Sequence, residues 1–116
     1  MQTTQAVLDH HLDCFGRADV PGIMADYAED AALITPDGIF KGTAAIRAFF
    51  TEAFKEFTKP GTTFAMKKVL VEGECAFIFW DAETPGLRLE SASDTFIVRN
   101  GRIQFQTYAA KVTSKG

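Results

Sequence analysis

The sequence predicts an α+β domain in which three N-terminal helices pack on one face of a curved, mostly antiparallel sheet. Three observations predict it. Helical periodicity is confined to the first half of the chain, and long strand-like runs fill the second. Residues 27–50 pass from a helix end through a short strand, a Pro36-Asp37-Gly38 turn and a return strand into a new amphipathic helix. Asn100-Gly101 then joins the last two runs with the dipeptide that most favours a two-residue hairpin.

Each element follows from its residues. Over residues 4–17, Val7, Leu8, Leu12 and Phe15 recur at three- and four-residue intervals with His11 among them, predicting a helix with one buried stripe. Asp19 is placed to cap a short second helix, with Pro21 tolerated in its first turn. Ile23, Met24 and Tyr27 form the inner face of that helix, which is expected to end near Glu29 and Asp30. Residues 31–35 and 39–41 read as strands around a turn in which proline fixes φ and glycine supplies a positive one. Residues 43–58 predict a third helix, burying Ile46, Phe49, Phe50, Ala53, Phe54 and Phe57, and Lys59-Pro60-Gly61 stops it. Four strands are expected over about residues 62–72, 75–83, 87–99 and 102–112.

Composition narrows the function classes. A chain of 116 residues has room for one domain, 1–116, and a domain of this size buries enough surface to need neither disulfide nor metal staples. A net charge of -3 argues against nucleic acid, which calls for a basic face. Cys14 and Cys75 have neither redox nor zinc spacing and read as buried thiols. No basic-then-apolar leader and no long apolar run is present, so no membrane partner is expected and the cytoplasm is the default location. No metal-ligand cluster or Gly-rich phosphate loop appears, so no cofactor and no metal is expected.

The fourth run raises a question of faces. Phe77 and Phe79 alternate with Ile78 and Trp80, so both sides of this strand are apolar. A homodimer covering the outer sheet face accounts for this, with Trp80 assigned to the dimer face and Phe77 and Phe79 to the cavity or core.

The order of elements, residues 19–23, Tyr27-Ala28-Glu29-Asp30-Ala31, the Pro36-Asp37-Gly38 turn and the stretch 42–50 resemble the nuclear transport factor 2-like superfamily, which includes ketosteroid isomerases and SnoaL-like polyketide cyclases. The resemblance spans nearly the whole chain and implies a cone-shaped pocket closed by the helices. It also implies a hydrophobic or aromatic small molecule as ligand, and isomerisation, dehydration or cyclisation as the reaction classes; a non-catalytic binding or association module is the other reading. In the isomerases the general base precedes the turn proline, and here that position is Thr35, whose hydroxyl cannot take a carbon-bound proton near neutral pH. Their oxyanion tyrosine falls at His11, and their oxyanion aspartic acid is kept as Asp94.

His11 and Asp94 are therefore the candidate catalytic residues, an acid/base pair if they lie within hydrogen-bond reach. Core packing remains open for His11, and a strand-end charge without a task for Asp94. Tyr27, Thr35, Phe77, Phe79, Gln106 and Tyr108 are the candidate substrate-binding residues. His10 is expected at the helix flank, Asp81 as a solvated strand-end charge and Arg47 on the surface.

Overall fold

The computed structural model describes residues 2–115. Helix α1, Thr4–Gly16, starts at Thr3, whose hydroxyl accepts from the Ala6 N–H, and buries Val7, Leu8, His11 and Cys14. Helix α2, Val20–Met24, starts at Asp19, whose carboxylate accepts from the Gly22 N–H, with Pro21 in the first turn. It is shorter than the sequence pattern implies. Strand β1, Tyr27–Thr35, already begins at Tyr27, because Tyr27 pairs in parallel with Ile103 and the Ile103 N–H donates to the Asp26 carbonyl at 2.7 Å. Tertiary pairing thus takes over a segment whose local apolar spacing reads as helix.

Strand β2, Gly38–Lys41, returns from the turn, and Gly42 at φ +88° caps helix α3, Thr43–Phe57. Ile46, Phe50 and Phe54 are its buried residues. Strands β3, Thr63–Glu72, β4, Cys75–Glu83, β5, Leu87–Arg99, and β6, Arg102–Ser114, complete one sheet of order β2-β1-β6-β5-β4-β3. Every neighbouring pair is antiparallel except β1 with β6. Asn100 and Gly101 take φ values of 53° and 74°, as a two-residue hairpin with both central residues left-handed requires. Three helices on a curved, mostly antiparallel sheet are the α+β architecture expected.

Its curvature has a local cause. The ladders between β3 and β4, β4 and β5, and β5 and β6 all slip register near Lys67, Asp81 and Ser91. Asp81 holds these irregularities together: its carboxylate pairs with Lys67 Nζ at 2.7 Å and accepts from the Ser91 N–H at 2.9 Å, where Ser91 sits at φ 53°. The two partners also hold the Asp81 pKa below the usual carboxylate range. Extra residues in a ladder bend and twist the strand, and a line of them folds the sheet around the helices. Asp81, expected as a solvated strand-end charge, is part of the bend.

The helices cover one face of the bend, where Val7, Leu8, Ile23, Leu33, Ile46, Phe96 and Ile103 form a closed core. Among the described residues, no helix is long and apolar enough to cross a membrane.

Candidate functional site

Beyond the closed core, α1, α3 and the sheet together line a cavity of about 300 Å³. Its walls are mainly aromatic: Phe15 from α1, Phe49, Phe50 and Phe57 from α3, Phe64 from β3 and Trp80 from β4. Phe64 and Met66 line it while remaining 45% and 47% exposed, so β3 forms the rim. The polar groups facing in are few: His11, Asp94, Gln106 and Tyr108.

Asp94 sits on β5 opposite Ile78 of β4 and Tyr108 of β6, and is 6% exposed. The Trp80 indole N–H donates to its Oδ1 at 2.8 Å, and the Gln106 amide donates to its Oδ2 at 2.8 Å. Behind Gln106, the Tyr27 hydroxyl donates to Oε1. The chain of donation runs one way: Tyr27 fixes the Gln106 amide so that its N–H₂ faces Asp94, and the carboxylate only accepts. Burial raises the Asp94 pKa to about 6, and the Trp80 and Gln106 hydrogen bonds oppose that rise by favouring the anion.

His11 occupies the facing wall under different conditions. It is 3% exposed and edged by the rings of Tyr27, Phe50 and Phe96, with centroids 5.3 to 5.9 Å away. Its Nδ1 has no hydrogen-bond partner among the described residues. Burial, reinforced by the nearby His10, lowers its pKa to about 4. His11 and Asp94 face one cavity, but no hydrogen bond joins them; the hydrogen bonds of Asp94 go to Trp80 and Gln106 instead. Between pH values of about 4 and 6 both groups are neutral, and above that only Asp94 is charged.

The other candidates divide. Gln106 and Tyr108 line the cavity, with the Tyr108 ring stacked 6.1 Å from Trp80 and its pKa raised to about 12 by burial and the charge of Asp94. Tyr27 is 3% exposed and supports the site from behind Gln106. Thr35 is not in the cavity wall: it ends β1, where its hydroxyl accepts from the Asp37 N–H within the turn. Phe77 and Phe79 are also outside. Strand β4 alternates so that Ala76, Ile78, Trp80 and Ala82 are buried under the helices, which turns both phenylalanines to the outer face. The same alternation moves Trp80 from the expected dimer face into the cavity. Its signal in the sequence was chemical: a buried indole N–H needs an acceptor, and Asp94 is the buried acceptor it meets on the neighbouring strand.

His10, at the helix flank, binds both oxygens of Asp26 through Nδ1 at 2.8 Å, tying α1 to the approach to β1. Among the described residues, no three His, Cys, Asp or Glu side chains cluster as a metal site requires.

A curved sheet wrapped by three helices around an apolar cavity with a buried acid defines a nuclear transport factor 2-like protein. The model of the SnoaL-like domain matches residues 8–105, and the chain belongs to that family. Solved structures agree on the fold. A proposed ketosteroid isomerase from Kribbella flavida superposes with a TM-score of 0.78 at 19% identity, covering 97% of this chain and 81% of that one. A proposed polyketide cyclase from Sinorhizobium meliloti gives 0.75 at 18% identity, covering 89% and 93%. A de novo designed protein with a curved β-sheet gives 0.78 at 18% identity, covering 93% and 84%, which illustrates how little chemistry the fold alone specifies. No curated protein matches the chain.

Proposed function

We propose that this protein binds a hydrophobic or aromatic small molecule in the cone-shaped cavity and that Asp94 exchanges a proton with it. Isomerisation, dehydration and cyclisation all use such a step. The observation that carries the reading is the Asp94 setting: a carboxylate in an apolar cavity, held by two N–H donors, with its pKa raised to about 6. A carboxylate with a pKa near the working pH is ionised, yet basic enough to accept a proton. One N–H donor on each oxygen orients the carboxylate and leaves it lone pairs with which to take a proton from a bound ligand. Thr35, outside the cavity wall, takes no part. His11, neutral in this range, contributes shape and a polar edge to the opposite wall.

The test is exchange of the α-hydrogens of a bicyclic aromatic ketone such as α-tetralone in D₂O, followed by NMR. Exchange faster than in buffer and abolished by Asp94→Asn is the expected result. Binding without exchange favours the second reading, a non-catalytic ligand-binding module. The outer sheet face supports an association role within either reading. Phe77, Phe79 and the exposed Ile34, Leu70 and Phe105 lie on the side away from the helices, a surface suited to a second copy of the chain. A molar mass near twice the chain mass in light scattering, reduced by Phe77→Glu, is expected of the homodimer.

A further inference from the structure

Among the described residues, no cation lines the cavity to balance the charge of Asp94. Asp94 lines it, and no lysine or arginine does. The two groups that hold the carboxylate, Trp80 Nε1 and Gln106 Nε2, are neutral donors. The other titratable groups around it are His11 from α1, Tyr27 from β1 and Tyr108 from β6, while Phe49 and Phe50 face it from α3. Burial keeps all three titratable groups uncharged near neutral pH: it lowers the pKa of the imidazole and raises those of both phenols. An ion in an apolar interior without a counter-ion is costly.

A ligand can supply that counter-ion. The surroundings of Asp94 favour one, because Trp80, Tyr108, Phe49 and Phe50 present aromatic rings close together, with Trp80 to Tyr108 at 6.1 Å and Phe49 to Tyr108 at 6.5 Å. Aromatic faces attract cations, most strongly where water is excluded. Other ligand classes fit less well. A carboxylate would meet Asp94 as a like charge. A carbonyl oxygen cannot take the place of the ammonium, because the Tyr27 hydroxyl holds Gln106 with its donor turned toward Asp94; a ketone can only turn an α-C–H toward the carboxylate, without a hydrogen bond to hold it.

We infer that the cavity selects hydrophobic amines, bound as ammonium cations with the nitrogen donating to Asp94 and the apolar body against the Trp80, Tyr108 and α3 rings. This rests on the binding half of the reading above and gives it a ligand class. A cavity of about 300 Å³ leaves room for a bicyclic aromatic skeleton between an amine seated on Asp94 and the phenylalanine rim.

The experiment uses one skeleton with three head groups: 2-naphthylmethylamine, 2-naphthylmethanol and 2-naphthoic acid, titrated into the intact protein by calorimetry. At about pH 7.5 the amine is expected to bind roughly tenfold or more tightly than the alcohol, and the acid not measurably. At about pH 5 the amine is still protonated but Asp94 is not ionised, so the preference is expected to collapse without any substitution. Asp94→Asn should remove it at both pH values. Equal affinity for amine and alcohol near neutral pH overturns the amine assignment and leaves the cavity reading standing. Tighter binding of the acid, or an amine preference that survives in Asp94→Asn, overturns it as well. Failure of all three compounds to bind overturns both.

Discussion

The two walls of the cavity solve the same problem in opposite ways. On the sheet wall, Asp94 is buried with one N–H donor on each oxygen, which offsets part of the cost that burial places on its ion. On the helix wall, His11 is buried among rings with Nδ1 unpartnered, and its setting supports only the neutral form. Strands explain the difference. Neighbouring strands bring cross-strand side chains into register, so one residue on β5 meets partners from both β4 and β6. A helix projects His11 away from its own backbone toward whatever the packing offers, which here is aromatic. The wall made of strands is therefore where charge is stored, and the helical wall gives the cavity its shape.

The sharpest way to separate the walls is pH. The pKa of Asp94 rises from 3.8 to about 6 on folding, so between those values the folded state binds more protons than the unfolded chain and stability falls as pH rises. The pKa of His11 falls from 6.5 to about 4, so over nearly the same window the unfolded chain binds more protons and stability rises with pH. Each displacement corresponds to about 3 kcal/mol, and the two largely cancel in the parent protein. Removing one exposes the other. Relative to the parent, Asp94→Asn should gain stability as pH rises from about 4 to 6, and His11→Leu should lose it, each by about 2 kcal/mol over that interval in urea unfolding. The His11 NMR titration should be unmoved by Asp94→Asn; a shift of more than about half a pH unit would show that the walls are coupled after all.

A smaller effect is expected from dismantling the sheet wall alone. Gln106→Leu takes a donor from Asp94 and leaves the Tyr27 hydroxyl buried without an acceptor. Leaving such groups unpaired costs about 2 kcal/mol, and the loss should appear in the urea midpoint with an unchanged slope. The variant should also raise the Asp94 pKa above about 6, because a hydrogen bond that favours the anion is gone. His11→Leu at about pH 7 is the control on the helix wall: it removes an unpartnered nitrogen and is expected to be neutral or slightly stabilising.

How much of this was legible in the sequence follows from the same contrast. Helix stripes, caps and the Asn100-Gly101 hairpin are local, and the structure keeps them. The position of Tyr27 was not local: its pairing with Ile103 on the last strand fixes it in β1. The faces of β4 were ambiguous for a different reason. Alternation separates Phe77 and Phe79 from Ile78 and Trp80 but does not say which set is inside when both are apolar. Helices α1 and α3 decide that by packing over Ile78 and Trp80. Asp94 and Gln106 could be proposed separately, but their connection through Trp80 and Tyr27 depends on four strands lying side by side. The bend at Asp81 was hidden likewise, since an acidic residue at a register slip looks like any other strand-end charge until Lys67 and Ser91 are beside it.

The smallest effect expected on the sheet wall comes from the end of the donor chain. Tyr27→Phe keeps the ring that packs against His11 and Phe50 and removes only the hydroxyl. Gln106 then has no donor fixing its carbonyl, and its amide is free to turn either end toward Asp94. When Asp94 is ionised the N–H₂ end still faces it; when Asp94 is protonated the carbonyl end can accept its proton. The protonated state gains a hydrogen bond that the parent denies it, so the Asp94 pKa should rise while stability falls by only about 1 kcal/mol. Carbon-13 NMR of the Asp94 carboxyl would read that rise directly. An unchanged pKa would mean that Gln106 is held by packing, and that Tyr27 serves the sheet wall only as an aromatic ring.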